Sequence, residues 1–272
     1  MIRATAVLVR HSLRRMRTLL LVMAGALALF QVLLGLAAQQ LQRSGTFAQL
    51  ASLIPSFVRE LVGPALVTMM SCSGIMALGY YHVAIVAVLV ALVITIGTEP
   101  VAEIEVGIAD LILSRPVARV SALTRSVVLL VVGPALVVGA MVGGTFLLGL
   151  WIAAPPSELR PVPSLVGALA LNLWALLFCW GGVALAAGSV ARRRSVAGSI
   201  TGAAAAALML ADYLSRVWSP LKPIARFSPF HYYNPLDLVM GRPLSMTDVG
   251  VLLAAGAVGI AAAYVLFARR DV

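Results

Sequence analysis

Long apolar runs, several near the roughly 20 residues needed to cross a hydrocarbon core of about 30 Å, leave this chain few ways to fold. Backbone N–H and C=O groups in lipid must be satisfied within the protein, so a spanning segment is a helix or part of a closed barrel. The apolar/polar alternation of a membrane barrel is absent, and the runs therefore read as helices. A mean hydropathy of +1.03 with only 11% charged residues agrees, since soluble domains carry about a quarter. The expected class is an all-α polytopic membrane protein.

Six spans are placed at about residues 18–38, 78–98, 123–152, 165–190, 196–214 and 249–268, in one transmembrane domain covering residues 1–272. Ahead of the first, Met1–Arg17 carries Arg3, Arg10, His11, Arg14, Arg15 and Arg17, with Ile2, Ala6, Val9 and Leu13 at helical spacing. That pattern predicts a basic amphipathic helix lying on the inner membrane surface. The apolar run after it is too long for the core of a signal peptide, which makes it a retained span. Residues 39–77 are broken by Pro55, Pro64 and Arg59-Glu60 and read as interfacial or re-entrant helices on the outer side. A competing reading makes Leu61–Met76 a seventh span. Gly133-Pro134 predicts a kink in the third span.

The net charge of +10 is carried by arginines that flank apolar runs and form no single basic face, which argues for lipid and against nucleic acid as partner. With six spans, thirteen of the twenty basic residues fall on the side of the two termini and seven on the other. The positive-inside rule then makes both termini cytoplasmic, in what is expected to be a bacterial cell membrane.

Chemistry-bearing motifs are few. Cys72 and Cys179 are far apart in apolar surroundings, with neither the pairing of a disulfide framework nor the spacing of a metal site. His11, His82 and His231 are scattered, and HExxH and GxSxG are absent, so no catalytic or metal residues are assigned. Gly139-x3-Gly143 and Gly198-x3-Gly202 permit close helix approach, with packing inside the chain as the first reading and dimerisation as the second. Residues 215–246 are rich in proline and aromatics. Phe227, Phe230, Tyr232 and Tyr233 read either as an interfacial belt or as an outer gate.

The connector after the second span holds four of the ten acidic residues, from Glu99 to Asp110. Thr98 as cap, Pro100 in the first turn and acids near the start predict an amphipathic helix over Glu99–Arg115, ended by Pro116. Val101, Ile104, Ile108 and Leu111 form one stripe, suited to packing on the bundle. Glu103, Gly107, Asp110 and Ser114 form the other, offered to a soluble partner.

The order of residues in this connector resembles the first cytoplasmic loop of ABC-2-type transporter permeases. There an acidic stretch leads to Glu-x-Gly, a Leu-rich turn and Ser-Arg-Pro-Val-x-Arg; the matching positions here include Glu103, Glu105, Gly107, Leu111, Leu113, Ser114, Arg115, Pro116, Val117 and Arg119. The basic N-terminal helix, Tyr80-Tyr81-His82 and the ending Phe267-Ala-Arg-Arg-Asp271 are also similar to family patterns. The resemblance implies that Glu99, Glu103, Glu105, Gly107, Asp110, Leu113, Arg115, Pro116 and Arg119 couple the membrane helices to a separate P-loop ATPase. ATP and magnesium would sit on that partner, because GxxxxGK[ST] is absent and the single lysine, Lys222, falls on the outer side. It further implies a second copy of the chain and an export function, with no reaction catalysed by this chain. Two rival classes are a membrane scaffold that moves nothing and an ion-coupled carrier. The latter would usually need more ionisable residues than the spans hold, where they are almost absent: Asp212 lies at the edge of the fifth and Arg125 near the start of the third.

Overall fold

A computed structural model describes residues 2–44, 71–106, 119–151 and 162–269. Among them there are no strands, and six helices are long and apolar enough to cross a membrane. The chain is an all-α polytopic membrane protein. The first helix, α1, runs Ile2–Arg43; the second span is built from α2 (Cys72–Tyr81) and α3 (Val83–Gly97). A short helix, α4 (Glu99–Glu105), then leads toward α5 (Arg119–Trp151), α6 (Pro163–Val190) and α7 (Arg194–Ser215). Short turns α8 (Lys222–Ala225) and α9 (Pro235–Val239) precede the last span, α10 (Met246–Ala268).

Helix starts follow local chemistry. Ser71 Oγ accepts from the Gly74 N–H at 3.1 Å and Ser245 Oγ from the Asp248 N–H at 3.2 Å, each satisfying a donor that the first turn leaves open. Pro163 opens α6, where a missing N–H removes nothing.

The basic amphipathic segment and the first span are one continuous helix of 42 residues, with no break at Arg17. At 1.5 Å per residue it is about 63 Å long, twice the hydrocarbon thickness, so its basic end projects from the bilayer. The reason is continuity of the packed face: Ser12, Met16, Leu20 and Leu27 are all buried, and no proline interrupts them. Cys72–Met76, part of the alternative seventh span, belongs to the second span instead. Met76 packs beside Ala38 near the end of α1. The other residues of that alternative, 61–70, lie outside the described residues.

The second span is broken at His82, whose ψ of 126° is extended backbone. A continuous helix would bond the Ala84 N–H to the Tyr80 carbonyl. Here the Ala84 N–H donates to His82 Nδ1 at 3.3 Å, and the Tyr233 hydroxyl donates to the Tyr80 carbonyl. The Ala84 N–H and the Tyr80 carbonyl thus gain side-chain partners, which lowers the cost of a break at membrane depth. Burial holds the Tyr233 phenol far above its ordinary pKa, so it stays a donor.

Contacts fix which ends share a face. Arg15 reaches Glu99, Glu105 meets Arg194, and Thr124 bonds Tyr264 at 2.9 Å. The basic half of α1, helix α4, the start of α5, the α6–α7 turn and the end of α10 therefore lie together. The opposite face carries the break and the 216–245 connector.

Close helix contacts are made by glycines other than those the GxxxG spacing picks out. A Cβ on Gly182 of α6 would collide with the Gly256 carbonyl of α10, and one on Gly259 would stand 2.6 Å from Gly182. Gly97 likewise faces Ala184 at 2.7 Å. By contrast a Cβ on Gly139, Gly143 or Gly202 would meet nothing within 4 Å, and one on Gly198 only Ile94 at 3.9 Å. Among the described residues, then, these four glycines make no close helix contact. Lipid tails are as apolar as leucine, so backbone proximity of this kind contributes much of helix association in a bilayer. Gly182→Val should destabilise the detergent-solubilised protein by about 1–3 kcal/mol. Gly139→Val should leave its melting temperature unchanged. Thermal unfolding followed by circular dichroism checks both.

Candidate functional site: the ion-paired helix 99–105

Helix α4 has only 7 residues, too short to stand alone, and what holds it is charge. Thr98 occupies its cap position, but the hydroxyl does not cap it. Thr98 Oγ1 donates backward to the Ile94 carbonyl at 2.8 Å, closing the end of α3. Pro100 sits in the first turn, where its ring is tolerated, and Glu99 places a carboxylate at the positive end of the dipole.

The acidic residues point in three directions. Glu99 is 5% exposed and pairs with Arg15 of α1 at 3.3 Å. Glu103 is 8% exposed and meets Arg125 of α5, which is 1% exposed, through two parallel bonds of 2.8 and 2.9 Å. Glu105 is exposed and accepts from the Arg194 N–H at 2.9 Å, the first residue of α7. Arg193, the cap position of α7, makes no side-chain bond there, so Glu105 supplies that cap from another element. Arg194 also donates through Nη2 to the Thr95 carbonyl at 3.2 Å. A short helix is thereby tied to α1, α5 and α7, while Val101, fully buried, packs beneath it.

This geometry corrects the expected division of the helix into a bundle face and a partner face. Glu103 belongs to the inner side, because a planar guanidinium already buried at Arg125 takes both of its oxygens. Glu105 is the acidic residue that α4 leaves accessible. Gly107, Asp110, Leu113, Arg115 and Pro116 lie outside the described residues, and Arg119 begins α5. Sequence reasoning passed over Arg15, Arg125 and Arg194 as partners. The available signal was Arg125 itself: a charge inside an apolar run must have a partner, and the connector from Glu99 to Glu105 holds the carboxylates on the same face.

The aromatic candidates divide on the opposite face. Phe230 and Tyr233 are buried, Phe230 with its ring centroid 5.7 Å from that of Trp180. Phe227 is 84% exposed, and Tyr232 is half-buried and donates to the Arg226 carbonyl at 3.0 Å.

No protein-family model, curated protein or solved structure matches this chain.

Removing one partner of a buried pair leaves an uncompensated charge, at a cost of about 3–5 kcal/mol. Glu103→Gln and Arg125→Leu should each destabilise the fold by roughly that amount, and Glu103→Arg with Arg125→Glu should recover at least part of the loss. A double-mutant cycle on thermal stability in detergent measures the coupling.

Proposed function

We propose that this chain is the membrane-spanning subunit of an ABC-2-type, ATP-driven transporter, working in the direction of export. It couples hydrolysis on a separate P-loop ATPase, which holds ATP and magnesium, to movement of a substrate, and catalyses no reaction itself. Both termini are then cytoplasmic, with helix α4 and the basic half of α1 on the ATPase side. The sequence resemblance of the 99–119 connector motivates this reading.

One observation supports it above the others. Helix α4 is joined by ion pairs or a cap to three separate helices, α1, α5 and α7. A displacement applied there moves several spans as a body, whereas a connector solvated on all sides would absorb it. Two copies of the chain are favoured by the exposed face at Gly139 and Gly143, which the other described helices leave uncovered.

A second reading, an ion-coupled carrier, is favoured by the break in the second span and by Asp212, buried at the far end of α7. The two differ in dependence on nucleotide.

The test is a mild-detergent pull-down of the full chain with candidate P-loop ATPases. Glu105→Gln keeps the acceptor that caps α7 and removes the charge; Glu105→Lys reverses it. Retention of the ATPase should fall by about tenfold for the reversal, equivalent to about 1.4 kcal/mol, with the glutamine variant between. Melting temperature of the glutamine variant should be unchanged. Wild-type chain that retains no ATPase, and moves substrate without ATP, would put the carrier reading first. Failure of both places the scaffold first.

A further inference from the structure

On the face away from α4, a cavity of about 270 Å³ opens beside the break in the second span. Its walls come from three parts of the chain: Tyr81 and Val83 around the break, Asp212 and Arg216 at the end of α7, and Phe230 and Tyr233 from the connector. The volume is near the lower end of the range for small-molecule sites, about 300–1,000 Å³.

The charge at its floor is unusual. Asp212 is 5% exposed and stands within the last turn of α7, where the free carbonyls give the helix dipole its negative end. An acid there is opposed by its own helix. Its compensation is partial: Arg216 Nη2 touches one carboxylate oxygen at 3.1 Å but is half-exposed, and His231 Nδ1 stands 3.5 Å from the other. A carboxylate accepts about four hydrogen bonds or charge contacts, so the group has capacity left. A second carboxylate, Asp237, also lines the cavity and pairs with Arg242 at 3.1 Å. Tyr81, Phe230 and Tyr233 also line the cavity and give it an aromatic wall, and the face of such a ring attracts a desolvated cation.

We propose that this cavity binds an organic ammonium ion, with the charged nitrogen against the Asp212 carboxylate and the apolar part against Tyr81, Phe230 and Tyr233. The ammonium comes either from a free amphipathic cation or from the choline headgroup of a lipid. The assignment rests on the cavity alone and holds whether or not an ATPase drives the chain.

Equilibrium dialysis of radiolabelled benzyltrimethylammonium against the full chain in maltoside detergent tests it. Wild type should bind saturably at one site per chain. Asp212→Asn should weaken binding by roughly tenfold or more, and Asp212→Glu should keep most of it. Val83→Trp fills the mouth of the cavity from an exposed position without touching the carboxylate, and should abolish binding. Displacement by dodecylphosphocholine assigns the headgroup as source, and absence of displacement assigns the free cation. No saturable binding to wild type overturns the proposal, as does equal affinity in a folded Asp212→Asn. If that variant fails to fold, unchanged binding in Val83→Trp overturns it instead.

Discussion

Two charges withdrawn from water at a membrane face persist only if each finds near-complete compensation in the other, and Glu103 with Arg125 meets that condition through two parallel bonds. The pair imposes a register. Arg125 lies at a fixed height on α5, so α4 must hold Glu103 at the same height, and the other acids are then placed by helical geometry. Glu99 falls toward α1 and Glu105 toward the start of α7. Ionic contacts therefore decide the position of a helix too short to choose one by propensity. They also explain why the segment suits the proposed transmission of movement: its exposed acid is separate from the acids that hold it.

The opposite face depends on a different device. There the second span gives up the backbone hydrogen bonds that would pass His82, and side chains take over two of the freed groups: His82 accepts from the Ala84 N–H, and Tyr233, from a connector far along the chain, donates to the Tyr80 carbonyl. An unpaired carbonyl or N–H at that depth would cost several kcal/mol. The break consequently exists only while the connector is docked, and the docked connector in turn completes the cavity that Asp212 floors. Ser228 adds to this docking by donating to the Leu208 carbonyl at 3.0 Å.

Between the two faces the bundle is held by proximity. The approach of α6 to α10 through Gly182, Gly256 and Gly259 brings main chain against main chain, with the Phe178 ring lying against Gly256. Gly139 and Gly143 carry the GxxxG spacing in sequence yet face outward. Spacing identifies a face on which close approach is allowed. Which neighbour uses that face depends on how all six helices are arranged.

The sequence by itself determined the helical class, the number of spans and which ends share a face, because hydropathy and the bilayer's thickness act on local runs of residues. It also located the start of the helix after the second span, through Pro100 and the acids around it, but drew to Arg115 a helix that ends at Glu105. It misdirected Glu103, whose stripe assignment assumed that charge seeks water; the buried Arg125 reversed that preference. It placed a boundary at Arg17, where a continuous packed face carries the helix straight through. The break at His82 had no local signal at all, since neither glycine nor proline stands there. Only tertiary structure decided these features, for one physical reason. Each depends on contacts with residues distant in the chain, a polar partner for Glu103 and for the Tyr80 carbonyl and a packed face for α1, and such contacts arise when helices are assembled in three dimensions.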